Sequence, residues 1–198
     1  MEETAARIVP NILSLAGVDP SGGAGLLADI KTISALGGYA CGAVTALTVQ
    51  NTRGVSGVRI MSGDFVSAQM ESVLSDIRID AVKIGMLGNC EVIEAAAGIL
   101  RDHPVKHVVL DTILASTSGT PLLEPEAVGV LIRKLLPLCT VFTPNLPEAA
   151  ILLGDETPAD EGGMENTARR LWNLAGMRPN GLSEGRSSLG RPYGGSRL

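Results

Sequence analysis

Apolar positions along this 198-residue chain follow two rhythms that take turns. Short, dense runs of Val, Ile, Leu and Ala alternate with stretches in which apolar residues return every three or four positions. Residues 8–16 read as a first strand ended at Gly17, and Asp19-Pro20-Ser21-Gly22-Gly23 as a turn-rich loop. Beyond Gly25, the spacing of Leu26, Ile30, Ile33 and Leu36 predicts a helix stopped by Gly37-Gly38. Residues 39–49 form a second strand of small and apolar residues, as expected where both faces are buried. A further strand is predicted at 55–60 and an amphipathic helix on Val66, Met70, Val73, Leu74 and Ile77. Strands at 81–87 and 105–114 flank a helix at 92–100. A helix at 126–136 closes at Pro137, a short strand at 141–143 runs into Pro144-Asn145, and a last helix at 165–175 contains Trp172.

This order, mainly βαβαβαβ, predicts an α/β fold with a largely parallel central sheet and helices on both faces. Ligands of such sheets sit at the carboxyl ends of the strands. That rule selects four loops, 17–25, 50–54, 111–121 and 143–148, each rich in Gly, Asp, Asn or Thr.

Composition narrows the partners. Hydrophobic residues make up 45% of the chain, enough for a packed core. The formal charge of −5 and 3% aromatic content offer neither a basic surface nor a stacking platform, so no nucleic acid is expected. No run approaches the ~18 apolar residues of a membrane helix, and the acidic N-terminus lacks a secretory pattern. A cytoplasmic protein is expected. Cys41, Cys90 and Cys139, odd in number and unpaired in spacing, read as small core residues of a reducing compartment. The two histidines, His103 and His107, lie around a turn and at a strand start, and no GxSxG elbow accompanies them, which excludes a Ser-His-Asp hydrolase.

The strongest local feature is loop 17–25. Gly22, Gly23 and Gly25 between strand and helix allow a ligand to approach the backbone, with helix amides turned toward it. No Gly-Lys-Ser/Thr follows, so this is no Walker A loop. Residues 23–28 match the loose GxGxxA dinucleotide fingerprint, but no acidic residue follows the second strand and Asp19 would oppose a pyrophosphate. Gln50, at the end of the second strand, offers a donor and an acceptor that could match an aminopyrimidine edge, or it could serve as a turn amide. Asp111 ends a strongly apolar run, where a carboxylate calls for a metal, a cation or a hydroxyl. Asn145 and Glu148 form Asn-x-x-Glu, which suits a hydrated magnesium ion beside a phosphate and equally suits a helix cap.

Together the segments AGVDPSGGAGLLADIKTISALGGYACGAVTALTVQNT, DAVKIGMLG, VVLDTILASTSGTPLL and TPNLPEAAILLG resemble the hydroxymethylpyrimidine/phosphomethylpyrimidine kinases of thiamine biosynthesis, in the ribokinase-like superfamily. The resemblance implies a three-layer ribokinase-like fold and ATP-dependent phosphorylation of 4-amino-5-hydroxymethyl-2-methylpyrimidine and then of its monophosphate. It implies that Gln50 reads the pyrimidine edge, that Gly17, Asp29 and Met86 line or support the pocket, and that Asn145, Glu148 and Asp111 organise Mg²⁺ and the phosphates of ATP, with Glu148 reaching the metal through water. It also implies a homodimer. A related pyridoxal kinase and a non-catalytic pyrimidine-binding remnant are the alternatives.

Two departures qualify the expected activity. Thr117 stands where the family often has Lys, and no GTGC-like segment, the family's anion-hole loop and source of its catalytic residue, occurs in the sequence. The resemblance covers about residues 8–177. Over residues 1–177 the net charge is −8; over 178–198 it is +3, and 15 of those 21 residues are Gly, Ser, Arg or Pro. The expectation is therefore a kinase domain at 1–177, C-terminally truncated and impaired. Residues 178–198 would be a low-complexity tail, disordered or translated out of frame.

Overall fold

The computed structural model describes residues 9–116, 121–156 and 161–176. Residues 178–198 and Thr117 lie outside the described residues.

Six strands form one sheet in the order β3-β2-β1-β4-β5-β6. The first is β1 (Asn11–Val18), followed by α1 (Gly25–Ala35), β2 (Tyr39–Asn51), β3 (Gly54–Ile60) and α2 (Gly63–Leu74). Next come β4 (Ala81–Ile84), α3 (Cys90–Asp102), β5 (His107–Leu110) and α4 (Ala127–Val130). β6 (Val141–Phe142), α5 (Leu146–Leu153) and α6 (Glu161–Leu174) follow among the described residues. All neighbouring pairs are parallel except the β2–β3 hairpin. The chain leaves β1 toward β2 and later crosses back to β4 on the other side of β1. The carboxyl end of β1 is thus the point where strand order reverses, the place an open α/β sheet offers to a ligand.

Strand alternation divides the sheet into two faces. The rows Leu13–Val82–Val108 and Leu15–Ile84–Leu110 point one way and are fully or almost fully buried. They pack with Val66 and Met70 of α2 and Val92, Ile93, Ala96 and Ala97 of α3 in one continuous core. The intervening row, Gly42–Ser14–Lys83–Val109, faces the other way. Leu26 of α1 packs so closely on Gly42 that an added Cβ there would meet it at 2.9 Å. β2 is nevertheless not buried on both faces as its apolar run suggests: Gly42, Leu47 and Val49 are exposed, and beyond Leu47 the strand outruns β1 and pairs with β3 alone. Cys41 and Cys139 belong to the core, as the sequence suggests; burial pushes the Cys139 thiol up to about 12 and raises Cys41 as well, so both stay protonated.

The two predicted strands at 81–87 and 105–114 are only four residues long, because the chain leaves the ladder early at both. Residues 85–87 and 111–114 bend away to shape the space beyond the strand ends. The helix predicted at 126–136 is not uniform either. After α4 it widens into a π-helical turn (Leu131–Leu135) and closes as a 3₁₀ turn (Leu136–Leu138). Pro137 supplies the reason: it has no N–H to give and its ring crowds the carbonyl a turn earlier.

Candidate active site

Asp19 organises the glycine loop. Its carboxylate accepts hydrogen bonds from the Ser21 amide at 2.8 Å and the Ser21 hydroxyl at 2.8 and 2.9 Å. It also accepts from the amides of Gly23 at 3.2 Å and Ala24 at 3.0 Å. Those last two amides lie just ahead of Gly25, the first helical residue of α1, so the carboxylate shapes the entry to the helix, and no side chain caps the helix itself. Asp19 is 4% exposed although its loop lies at the molecular surface. Desolvation favours its neutral form, but the Ser21 hydroxyl and the amides of Ser21, Ala24 and Gly23 outweigh it and hold the carboxyl below its ordinary value. Gly25 has φ +58°, and a Cβ there would overlap the Gly17 carbonyl oxygen.

Behind this loop is a cavity of about 260 Å³, lined by residues from all four predicted loops. Gly17, Gln50, Met86 and Glu148 line it, together with Thr48, Val55, Ile113 and Ala115. A side chain at Gly17 would press on the Met86 sulfur at 3.1 Å, so this glycine keeps the cavity open. The Met86 backbone is held by buried Thr45, whose hydroxyl donates to the Met86 carbonyl at 2.5 Å. Thr45 is the extra residue where the β1–β2 register shifts. Gln50 contacts the Thr48 hydroxyl at 3.1 Å, and that hydroxyl also bonds the Val18 carbonyl at 2.9 Å. Gln50 further borders an outer cleft of about 540 Å³ with Asp19, Asn51 and Arg53.

Asn145 and Glu148 form a reciprocal cap on α5. Asn145 Oδ1 accepts from the Glu148 amide and Glu148 Oε2 from the Asn145 amide, each at 2.9 Å. Glu148 Oε2 also takes the hydroxyl of buried Thr112 at 3.2 Å. The helix-cap arrangement is therefore present, and it leaves Glu148 at the cavity wall. The remaining two predicted residues stand apart from this cavity. Asp29, in α1, meets Ser14 and Lys83, and Asp111 lies beside Lys83 just after β5. Among the described residues, no group of three or more His, Cys, Asp or Glu side chains converges to hold a bare metal ion. The oxygen donors Glu148 and Asp111 suit a magnesium ion that keeps most of its water, and not a site made wholly of protein ligands.

Sequence reasoning missed Thr45, Thr48, Thr112 and Lys83. Only Lys83 carried a visible signal, as the single charged residue in the apolar run 81–87. A separate apolar groove of about 430 Å³ between β6, α5 and α6 contains none of the predicted residues.

A largely parallel sheet whose reversal point opens on a Gly–Gln–Met cavity, with a capped Glu at its rim, is an α/β small-molecule site of the kind expected from the ribokinase-like resemblance of the sequence. Comparison with known proteins sharpens this. Residues 19–179 match the phosphomethylpyrimidine kinase family model, and the chain belongs to that family. It is 52% identical over 161 residues to the hydroxymethylpyrimidine/phosphomethylpyrimidine kinase of Escherichia coli, covering 81% of this chain and 60% of that protein. The crystal structure of phosphomethylpyrimidine kinase from Clostridium difficile aligns with a TM-score of 0.77 at 39% identity, covering 83% of this chain and 71% of the other. Pyridoxal kinase from Staphylococcus aureus, in complex with AMP-PCP and pyridoxal, aligns at 0.73 and 32% identity, covering 84% and 59%. The chain spans about three fifths of the length of its Escherichia coli relative.

Proposed function

We propose that this chain takes part in ATP-dependent phosphorylation of 4-amino-5-hydroxymethyl-2-methylpyrimidine and its monophosphate. The observation that carries the reading is the convergence of Gly17, Gln50, Met86 and Glu148 on one cavity at the sheet's reversal point. Gln50 presents its amide to the ring nitrogen and amino group of the pyrimidine, a pairing that needs one donor and one acceptor side by side. Gly17 and Met86 form the walls, and Asp29 supports them from α1. Glu148, fixed by Asn145, and Asp111 face the Mg²⁺-bound phosphates of ATP, Glu148 through water. Magnesium there would neutralise charge on the transferred phosphoryl group, and phosphoryl transfer depends mainly on such positioning.

The names of the relatives support the substrate class, and the AMP-PCP complex of the related pyridoxal kinase supports the nucleotide. That neighbour also favours pyridoxal as the second candidate alcohol. Because the sequence has no Gly-Thr-Gly segment, the 198-residue chain by itself is expected to bind pyrimidine and to transfer phosphoryl slowly. A homodimer belongs to the same reading; Leu47 and Val49 of β2, 48% and 66% exposed, offer it apolar surface.

Calorimetry with the hydroxymethylpyrimidine and with pyridoxal, beside a coupled ATP-consumption assay, tests the proposal. Saturable binding of the pyrimidine, weakened about tenfold or more by Gln50→Ala, is the expected result. No binding of either alcohol would overturn it, preference for pyridoxal would transfer the reading to the second candidate, and rapid turnover would refute the slow-transfer expectation.

A further inference from the structure

Lys83 occupies an unusual place. Central parallel strands are apolar because both faces are covered, and the neighbours of Lys83 in β4, Val82 and Ile84, are fully buried. Its own side chain, 24% exposed, leaves the sheet on the α1 face in the row between Ser14 and Val109. Removing an ammonium group from most of its water is costly unless carboxylates meet it. Two do. Lys83 Nζ donates to Asp29 Oδ2 at 3.0 Å and forms an ion pair with Asp111 Oδ2 at 3.7 Å. The same Asp29 oxygen accepts the hydroxyl of fully buried Ser14 at 2.7 Å. The chain also keeps room for the ammonium, since a Cβ on Gly85 would sit 3.1 Å from Nζ and 3.2 Å from Ala16 Cβ.

The three charged residues belong to different elements. Asp29 is in α1, the helix that starts from the glycine loop, and Asp111 is the first residue after β5. Residues 113, 115 and 116, which follow Asp111, line the cavity opposite that loop. A methionine would fill the space of the Lys83 stem without joining these walls. We propose that Lys83 is a positioning residue that clamps Asp111 to α1 through Asp29, fixing the direction of the Asp111 carboxylate. One ammonium between two carboxylates leaves a net negative charge, and Asp111, 44% exposed, is the partner free to share it with a ligand's cation. This last consequence rests on the function proposed above; the clamp itself does not.

Hydrogen exchange on the ligand-free, full-length chain tests the clamp. The reporters are the Asp111 amide, bonded to the Ile84 carbonyl at 2.8 Å, and the Ile113 amide, bonded to the Asp111 carbonyl at 2.8 Å. Lys83→Met should speed both about tenfold while the α3 amides change less than about twofold, and Lys83→Arg should restore slow exchange. Asp29→Asn should show the same local pattern and serves if Lys83→Met fails to fold. Unchanged reporters, or equal acceleration throughout the chain, would overturn the clamp. Calorimetry with Mg²⁺-ATP and with the pyrimidine tests the consequence. Lys83→Met should weaken nucleotide binding about tenfold and pyrimidine binding less than about twofold. Equal loss of both ligands, or no loss of nucleotide, would overturn the site role. If the unaltered chain binds neither ligand, the proposed function falls, and the exchange pattern still decides the clamp.

Discussion

Two helices of this chain begin beside a carboxylate, and the two carboxylates are used in opposite ways. At α1, Asp19 folds back into its own loop and accepts from Ser21, Gly23 and Ala24 while remaining almost fully covered. At α5, Glu148 returns one oxygen to the Asn145 amide and the Thr112 hydroxyl and stays at the wall of the cavity. Only at α5 does a side chain cap its helix; α1 has no side-chain cap. Asp19 is consumed in shaping a loop that frames the cavity. Glu148 is held by its cap at the cavity wall. The glycine loop is therefore a wall of the pocket, and the carboxylate that faces the cavity from a capped helix lies at α5.

Substitutions that strike one terminus and spare the other sharpen this contrast. The largest effect is expected from Gly25→Ala, which forces a side chain into the left-handed region and onto the Gly17 carbonyl; strain and overlap together should cost about 4 kcal/mol in urea unfolding. Asp19→Asn should cost about 2–3 kcal/mol near neutral pH, since a charged acceptor of several loop donors is lost. Its pH dependence has a definite sign. The folded carboxyl lies below its ordinary value of 3.8, so its contribution is full above that value and is lost as pH falls below it through the depressed folded value. Stability curves of the native chain and Asp19→Asn should therefore converge on acidification below about pH 4, and a gap that widened there would contradict the Asp19 cage.

Smaller effects are expected farther from that loop. Thr45→Val should cost about 1–2 kcal/mol, because it strips the Met86 carbonyl of a buried donor, and should loosen pyrimidine binding at the same time. Asn145→Ala should cost only about 1 kcal/mol, the usual value of an exposed N-cap, read from the unfolding midpoint. Equal losses for Asp19→Asn and Asn145→Ala would erase the proposed difference between the two termini.

Much of this architecture was legible in the chain itself. The helical spacing of Leu26, Ile30 and Ile33 and the unbroken apolar run of β2 mark α1 and its neighbouring strand, and the strand–helix alternation selects the four loops that meet at the cavity. Less legible were the strand ends. The runs at 81–87 and 105–114 remain apolar after pairing stops, because Met86, Leu87 and Leu114 are buried without belonging to the ladder. Periodicity registers burial, and burial outlasts strand pairing there. Asn-x-x-Glu was ambiguous for a different reason: a helix cap and a carboxylate facing a ligand require the same two residues at the same spacing, and the fold forms the cap while leaving Glu148 at the cavity wall.

The sequence by itself determined the order of elements and the family, because these depend on local periodicity and on residue identity along the chain. Only the tertiary structure decided which polar groups satisfy one another. Asp19 meets amides two to five residues away, but Lys83 meets Asp29 and Asp111 across three elements, and Thr45 meets Met86 across the sheet. Such partners are set by how strands register and helices pack. A buried charge or hydroxyl must find a counterpart wherever the fold brings one within reach, and sequence spacing carries no record of that distance.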